Sequence, residues 1–314
     1  HCSFEIGVRA LAIRFDGKVA IVTGAGNGLG RSHAQALAAR GAKVVVNDLG
    51  GARDGTGSSL SAAETVVEEI RKAGGEAITD GANVTNDADA GAMIDAAMKK
   101  WGRVDILVNN AGILRDKTFA KMDMADFRAV IDVHLVGTAV CTKAVWEIMR
   151  TQAYGRIIAT SSPSGLYGIF GQANYGAAKA GMIGFMNALH LEGGKYNIRF
   201  NLLSPSAKTR MTEDIGIPDA LLETMTPESI TAGLIYLVSE DAPSRAILSC
   251  AAGGYARAYV AETDGIYLPP AEQTPENIAA MWETISDINT VRYYETSAGP
   301  NMNFLTKAQA HAQE

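Results

Sequence analysis

Cysteine is scarce in this chain. The three in 314 residues, Cys2, Cys141 and Cys250, show neither metal-ligand spacing nor a pairing framework. That argues against a disulfide-stapled scaffold or a metal site and fits a reducing, cytoplasmic compartment. Basic charge is not in excess either: 28 Lys and Arg stand against 34 Asp and Glu, a formal net charge of −6. A nucleic-acid or anionic-membrane partner is therefore not expected. No uninterrupted apolar run approaches the ~20 residues that span a bilayer. Repeats, low-complexity stretches and linkers are missing too, so one domain is the simplest organisation. The leading HCSFEIGVRALA lacks the charged–apolar–small layout of a signal peptide. Residues 1–15 are set aside as an extension or remnant.

What is present is an ordinary globular composition, 47% hydrophobic and 20% charged. Short β-rich runs alternate with longer helical patterns. VAIV (19–22), KVVVN (43–47), ILVNN (106–110), RIIAT (156–160) and IRFNLL (198–203) are continuous rather than alternating, which suits parallel strands buried on both faces. Helical patterns run over 29–40, 62–72, a stretch carrying Met93, Ile94, Ala97, Met98 and Trp101, and the longer 124–150 and 172–192. The order predicts an α/β fold, a doubly wound parallel sheet over 16–254. A C-terminal helical extension, 255–314, is expected to pack on that Rossmann-type domain. AILSCAAGG (246–254) reads as a last strand with a Gly-Gly turn. TPENIAAMWETISDI (274–288) reads as a helix, with Thr274 as cap and Pro275 at its first position.

Four segments carry chemistry. VAIVTGAGNGLGRSHAQAL (19–37) is strand, glycine-rich turn and helix, the arrangement that lets backbone approach a pyrophosphate at a helix N-terminus. Asp48, at the end of the next strand, is placed to accept bonds from ribose hydroxyls and to repel a 2′-phosphate; the nearest basic residues are Arg31 and Arg53. This favours NAD over NADP. ILVNNAG (106–112) sets small and amide side chains at the carboxyl end of a central strand. IIATSSPSGLYG (157–168) puts Ser161 and Ser162 at another strand end, as turn or cap residues or as substrate-holding hydroxyls. Finally, ANYGAAK places Tyr175 one helical turn from Lys179. A nearby ammonium favours a phenolate, so the pair predicts a tyrosine pKa brought down from about 10.

In this order and spacing, TGAGNGLG, NNAG, a strand-end Ser and YGAAK resemble the short-chain dehydrogenase/reductase family. The resemblance implies Tyr175 as general acid/base, Lys179 as the residue that lowers its pKa and holds the nicotinamide ribose, and Ser162 as the group orienting the substrate oxygen. It implies cofactor contacts from Gly24, Asn27, Gly28, Leu29, Gly30, Asp48, Asn83, Val84, Asn110, Ala111, Gly112, Tyr175, Lys179, Pro205 and Thr209, and no metal. It also implies a homodimer or homotetramer through the two long helices.

VNDLGG, NNAGILRDK, YGRIIATSS, GQANYGAAKAG and TPENIAAMWETISD further resemble the branch formed by the dehydrogenase domains of peroxisomal multifunctional enzymes of type 2. The similarity runs over roughly 14–295, and the chain reads as a stand-alone relative. The implied substrate is an apolar secondary alcohol or ketone, a 3-hydroxyacyl-CoA or a 17β-hydroxysteroid, with Ser164, Leu166, Tyr167, Phe170 and Met211 as candidate wall residues. The alternatives are an NADPH-dependent ketoreductase and an NAD-binding regulatory protein without turnover.

Two positions depart from the wider family. DVHLVGT carries His134 where an asparagine is usual, either joining the proton relay or packing as a neutral core residue. LLSPSAKTRMT has Ser206 after the proline and Arg210 where a carboxamide-binding threonine is common, leaving that contact to Thr209 or Met211. The loop over roughly 206–232 is expected to cover the site.

Overall fold

The computed structural model describes residues 12–207 and 223–313. The chain divides into two compact units, His1–Arg257 and Ala258–Glu314. The first carries an eight-stranded sheet of order β3-β2-β1-β4-β5-β6-β7-β8. Its strands are β1 (Val19–Thr23), β2 (Lys43–Asn47), β3 (Glu76–Asp80), β4 (Ile106–Asn109), β5 (Gly155–Thr160), β6 (Ile198–Ser206), β7 (Ile247–Ala251) and β8 (Gly254–Ala258). Pairings from β3 through β7 are all parallel. Every residue of β1, β4 and β5 is buried, as continuous apolar strands covered on both faces must be.

Helices α1 (Gly28–Ala39), α2 (Ser61–Lys72), α3 (Asp87–Trp101), α4 (Met124–Ile131), α5 (Gly137–Gln152), α6 (Pro163–Tyr167), α7 (Ala173–Gly193) and α8 (Pro227–Leu237) connect the strands. α3 shows why the sequence punctuates as it does. The Asn86 side chain accepts the N–H groups of Ala88 and Asp89 at its start, and Gly102 closes it in the left-handed region at φ 75°. The strand order reverses between β1 and β4, so the segments following those strands face one crevice at their carboxyl ends.

Several sequence expectations are corrected. β3 was not expected: EAITD lies at the sheet edge, only Ala77 is buried, and it lacks a continuous apolar run. The 246–254 segment is not the last strand. It turns at Ala252 and Gly253, both at positive φ, into β8. The expected helix over 124–150 is interrupted by a π-turn, Asp132–Val136. With that turn, 124–152 is one 29-residue helix with the length and apolarity of a membrane span, a feature that a search for uninterrupted apolar runs overlooks. Here Cys141, Val145, Trp146 and Met149 are buried, and α5 packs on α3, β4 and β5. Phe15, set aside with the leading residues, is buried in the main core against residues such as Leu37 and Val44.

In the second unit the 274–288 segment forms two short helices, α9 (Pro275–Ala280) and α10 (Trp282–Ile285), rather than one. Thr274 caps the first by accepting the Asn277 N–H, with Pro275 following it. A further helix, α11 (Ala298–His311), fits the expected helical extension, though its bounds were not read from the sequence. Asp264 pairs with Arg292 at 2.7 Å and Lys307 at 3.0 Å within this unit.

Candidate active site

The glycine turn after β1 is shaped by close approach. Gly24 has φ +63°, and a Cβ there would stand 2.8 Å from the Ala111 Cα. A Cβ at Gly30 would meet the Gly24 carbonyl oxygen at 2.2 Å. No side chain caps the first turn of α1, so its N–H groups are available to an anion. The Asn110 amide braces the turn from β4, donating to the carbonyls of Thr23 at 3.1 Å and Gly24 at 3.0 Å. Thr23 Oγ1 in return accepts the N–H groups of Asn110 and Ala111, each at 3.1 Å. Asp48 crosses from β2: its carboxylate accepts the N–H of Gly26 and of Gly50, each at 2.7 Å.

These elements open onto one cavity of about 490 Å³. Of the expected cofactor contacts, Gly24, Asn27, Gly28, Leu29, Asp48, Asn83, Val84, Asn110, Ala111, Gly112, Tyr175, Lys179 and Pro205 line it, and so does His134. Gly30 is not on the wall; it lies behind the turn and makes room for it. Thr209 and Met211 lie outside the described residues, as does much of the loop expected to cover the site. That loop's last part is helix α8, whose start Thr226 caps and Pro227 opens. Ser164, Leu166, Tyr167 and Phe170 do not line the cavity; Phe170 is 89% exposed and Tyr167 78%.

Arg53, noted in the sequence only as a basic residue near Asp48, lies on this wall, and so does Arg115, which sequence reasoning missed. The β2–α2 loop reaches across to the segment after β4, where Leu114 N–H donates to the Arg53 carbonyl and Arg115 Nε to the Asp54 carbonyl, each at 3.0 Å. The glycines of GGARDGTG were its available signal. Asn174 was missed as well. It is fully buried, its Nδ2 donates to the Arg115 carbonyl at 3.0 Å, and its Oδ1 accepts the Tyr175 N–H at 2.8 Å, pinning the start of α7.

The catalytic candidates converge at the β5 end of the crevice. Ser162 caps α6 by accepting the Ser164 N–H at 3.1 Å, and its hydroxyl also hydrogen-bonds the Tyr175 phenol. Lys179 is buried; its ammonium donates to the Thr160 carbonyl and lies 5.3 Å from the Tyr175 ring centroid. His134 meets the same ring edge-on at 5.1 Å. The expected lowering of the tyrosine pKa is not found. Burial pushes Tyr175 up to about 12, only partly opposed by the Ser162 hydrogen bond. Burial also brings Lys179 down to about 7. Burial favours the neutral form of each group, so near pH 7 Lys179 is only about half charged and stabilises a phenolate less than a full ammonium would.

The donor set fits a nicotinamide dinucleotide: an uncapped helix start beside a glycine turn, a carboxylate with lone pairs left for ribose hydroxyls, and a buried lysine on the wall of the same cavity.

The family model described as short chain dehydrogenase matches residues 18–218. A short-chain type dehydrogenase/reductase of Mycobacterium tuberculosis is 46% identical over 275 residues, 87% of this chain and 95% of that protein. The chain belongs to the short chain dehydrogenase family. As a family member it is an oxidoreductase acting on CH–OH groups with a nicotinamide nucleotide.

The peroxisomal multifunctional enzyme type 2 of Drosophila melanogaster is 46% identical over 285 residues, covering 90% of this chain and 47% of that protein. Its full-length structure matches with a TM-score of 0.79 at 36% identity, over 95% of this chain and 50% of that one. The chain thus spans about half the length of this relative. A 7α-hydroxysteroid dehydrogenase solved with NADH and 7-oxo glycochenodeoxycholic acid matches with a TM-score of 0.69 at 31% identity, over 77% of this chain and 95% of that one.

Proposed function

We propose that this protein is an NAD-dependent dehydrogenase of a 3-hydroxyacyl-CoA or a hydroxysteroid. The observation that carries the reading is that Tyr175 and Lys179 line the same cavity as Asp48, with Ser162 hydrogen-bonded to the Tyr175 phenol behind that wall. The substrate hydroxyl sits between the Ser162 hydroxyl and the Tyr175 phenol. Ser162 Oγ orients it; Tyr175, once it has given its own phenol proton to solvent beside a charged Lys179, takes the hydroxyl proton on Oη as phenolate. Bound nicotinamide supplies the hydride acceptor. Lys179 holds the ribose and carries positive charge toward Tyr175 once that charge is paired in the filled site. Supporting the substrate class are the relatives: one is named a multifunctional enzyme of peroxisomes, another a hydroxysteroid dehydrogenase holding NADH.

Asp48 supports NAD, since a 2′-phosphate would meet its carboxylate. Arg53, on the same wall, is the feature that favours an NADPH-dependent reductase instead. The test is absorbance at 340 nm with NAD⁺ or NADP⁺ and a panel: a (3R)- and a (3S)-3-hydroxyacyl-CoA, estradiol, testosterone and a simple secondary alcohol. NADH formation on an acyl-CoA or a steroid supports the proposal. Turnover with NADP⁺ alone, or NADH binding with no turnover on any substrate, goes against it.

A further inference from the structure

His134 stands in a π-turn, the one place where the helix 124–152 gains a residue. Such turns redirect a side chain, and they recur at functional sites. Here the side chain is 2% exposed and fills the space that Gly112 leaves: a Cβ on Gly112 would lie 2.2 Å from His134 Cε1. Its Nε2 is 2.8 Å from the Ile113 carbonyl oxygen and 3.2 Å from the Ile113 nitrogen. Its Nδ1 is buried without a partner. Either neutral tautomer bonds Ile113 through Nε2: protonated there, it donates to the Ile113 carbonyl; unprotonated, it accepts the Ile113 N–H.

The titratable groups that face the ring are Lys179 and Tyr175, both from α7, while Gly112 and Ile113 bring only main-chain groups. Burial and the neighbouring Lys179 charge both disfavour an imidazolium.

We propose that His134 is a positioning residue: a neutral imidazole, hydrogen-bonded through Nε2 to Ile113, that fixes the Tyr175 ring by edge contact and takes no proton during turnover. It ties the segment after β4, which borders the cofactor crevice, to the phenol that acts on substrate. The role rests on the function proposed above. It explains why the NNAG segment ends in a residue without a side chain: the imidazole takes the space at Gly112.

The test compares the wild type with His134→Gln, which keeps a donor reaching toward Ile113 and cannot titrate near neutrality, and His134→Phe, which keeps a ring and loses the donor. The readouts are kcat and KM from pH 5.5 to 9.5, and NADH affinity by fluorescence. The expected result is a kcat for His134→Phe lower by about 10- to 100-fold, the scale of a misplaced reacting group. Its NADH affinity stays within about 3-fold, which shows that the variant is folded. His134→Gln recovers most of kcat and keeps the wild-type pH midpoints. Equal kcat in wild type and His134→Phe overturns the proposal in favour of simple packing. A limb near pH 6–7 that disappears in His134→Gln overturns it in favour of a titrating histidine. Absence of turnover in the wild type on every substrate would fall on the proposed function instead. In that case the midpoint of the Tyr175 phenolate, read at 295 nm against Tyr175→Phe, is the readout. It falls in His134→Ala if the imidazole covers the ring, and an unchanged midpoint overturns the proposal.

Discussion

Asp48 and Gly26 are joined by a hydrogen bond of 2.7 Å, from the N–H of the glycine turn to the carboxylate at the end of β2. One acid therefore shapes the glycine turn and would face the ribose of a bound nucleotide. Asp48→Ala is expected to weaken NADH binding by about 10- to 100-fold, the worth of a few charge-assisted hydrogen bonds. The preference for NADH over NADPH should shrink with it. Fluorescence titration with both nucleotides checks this, and an unchanged preference would remove Asp48 from the account.

Tyr175, pushed up to about 12 by burial, should stay protonated across the neutral range in the nucleotide-free protein. The sign follows from its being an acid: a raised pKa means phenolate appears only at higher pH. The difference in absorbance at 295 nm between wild type and Tyr175→Phe is expected to show no Tyr175 phenolate below about pH 10. Adding NAD⁺ should move the midpoint down if cofactor binding charges Lys179. No movement on saturation would show that Lys179 does not act on the phenol.

His33 supplies an acid-sensitive joint between α1 and α8. Thr231 Oγ1 donates to the Pro227 carbonyl at 3.0 Å, so it accepts from Ser32 Oγ at 2.8 Å and from His33 Nδ1 at 2.7 Å. That leaves His33 Nε2 unprotonated and without a partner. Burial lowers the pKa to about 3. The unfolded chain takes up this proton near pH 6.5 and the folded chain only near 3, so stability falls as the pH drops between those values, by about 1.4 kcal/mol per unit. Denaturant melts from pH 7 to 4 should show a shallower loss in His33→Gln, one proton less than wild type, even though that variant starts less stable. Parallel curves would contradict the assignment.

Arg156 is fully buried on β5, donating to the carbonyls of Ser239 at 3.0 Å, Glu240 at 3.2 Å, and Gly155 and Asn197 at 2.9 Å each. Its guanidinium lies over the Tyr154 ring at 4.3 Å. Arg156→Met orphans those carbonyls and is expected to cost about 3 kcal/mol or more. A urea midpoint unchanged from wild type would contradict that.

The parts of this fold legible in the sequence were those whose signal is local. β1, β2, β4, β5 and β6 announce themselves because both faces are buried and the chain turns uniformly apolar. The glycine turn and Asp48 were legible because backbone approach demands residues of that kind. β3 escaped as an edge strand, and β8 because its turn uses Ala252 at φ 47° where glycine or asparagine is the usual signal. The contact of the Arg53–Asp54 segment with residues 114–115 pairs distant stretches and has no periodicity to betray it. Proximity of Tyr175 and Lys179 was legible from their spacing; their ionisation was not, because it depends on how much of the fold surrounds them.

Tyr175 is proposed to move the substrate proton. The most direct measurement is kcat of Tyr175→Phe beside wild type, followed at 340 nm on a substrate that the wild type oxidises, with NADH affinity measured in parallel. A loss of about 100- to 10,000-fold, the range of general acid–base catalysis, is expected, with NADH affinity within about 3-fold of wild type. A kcat within about 10-fold of wild type would contradict it.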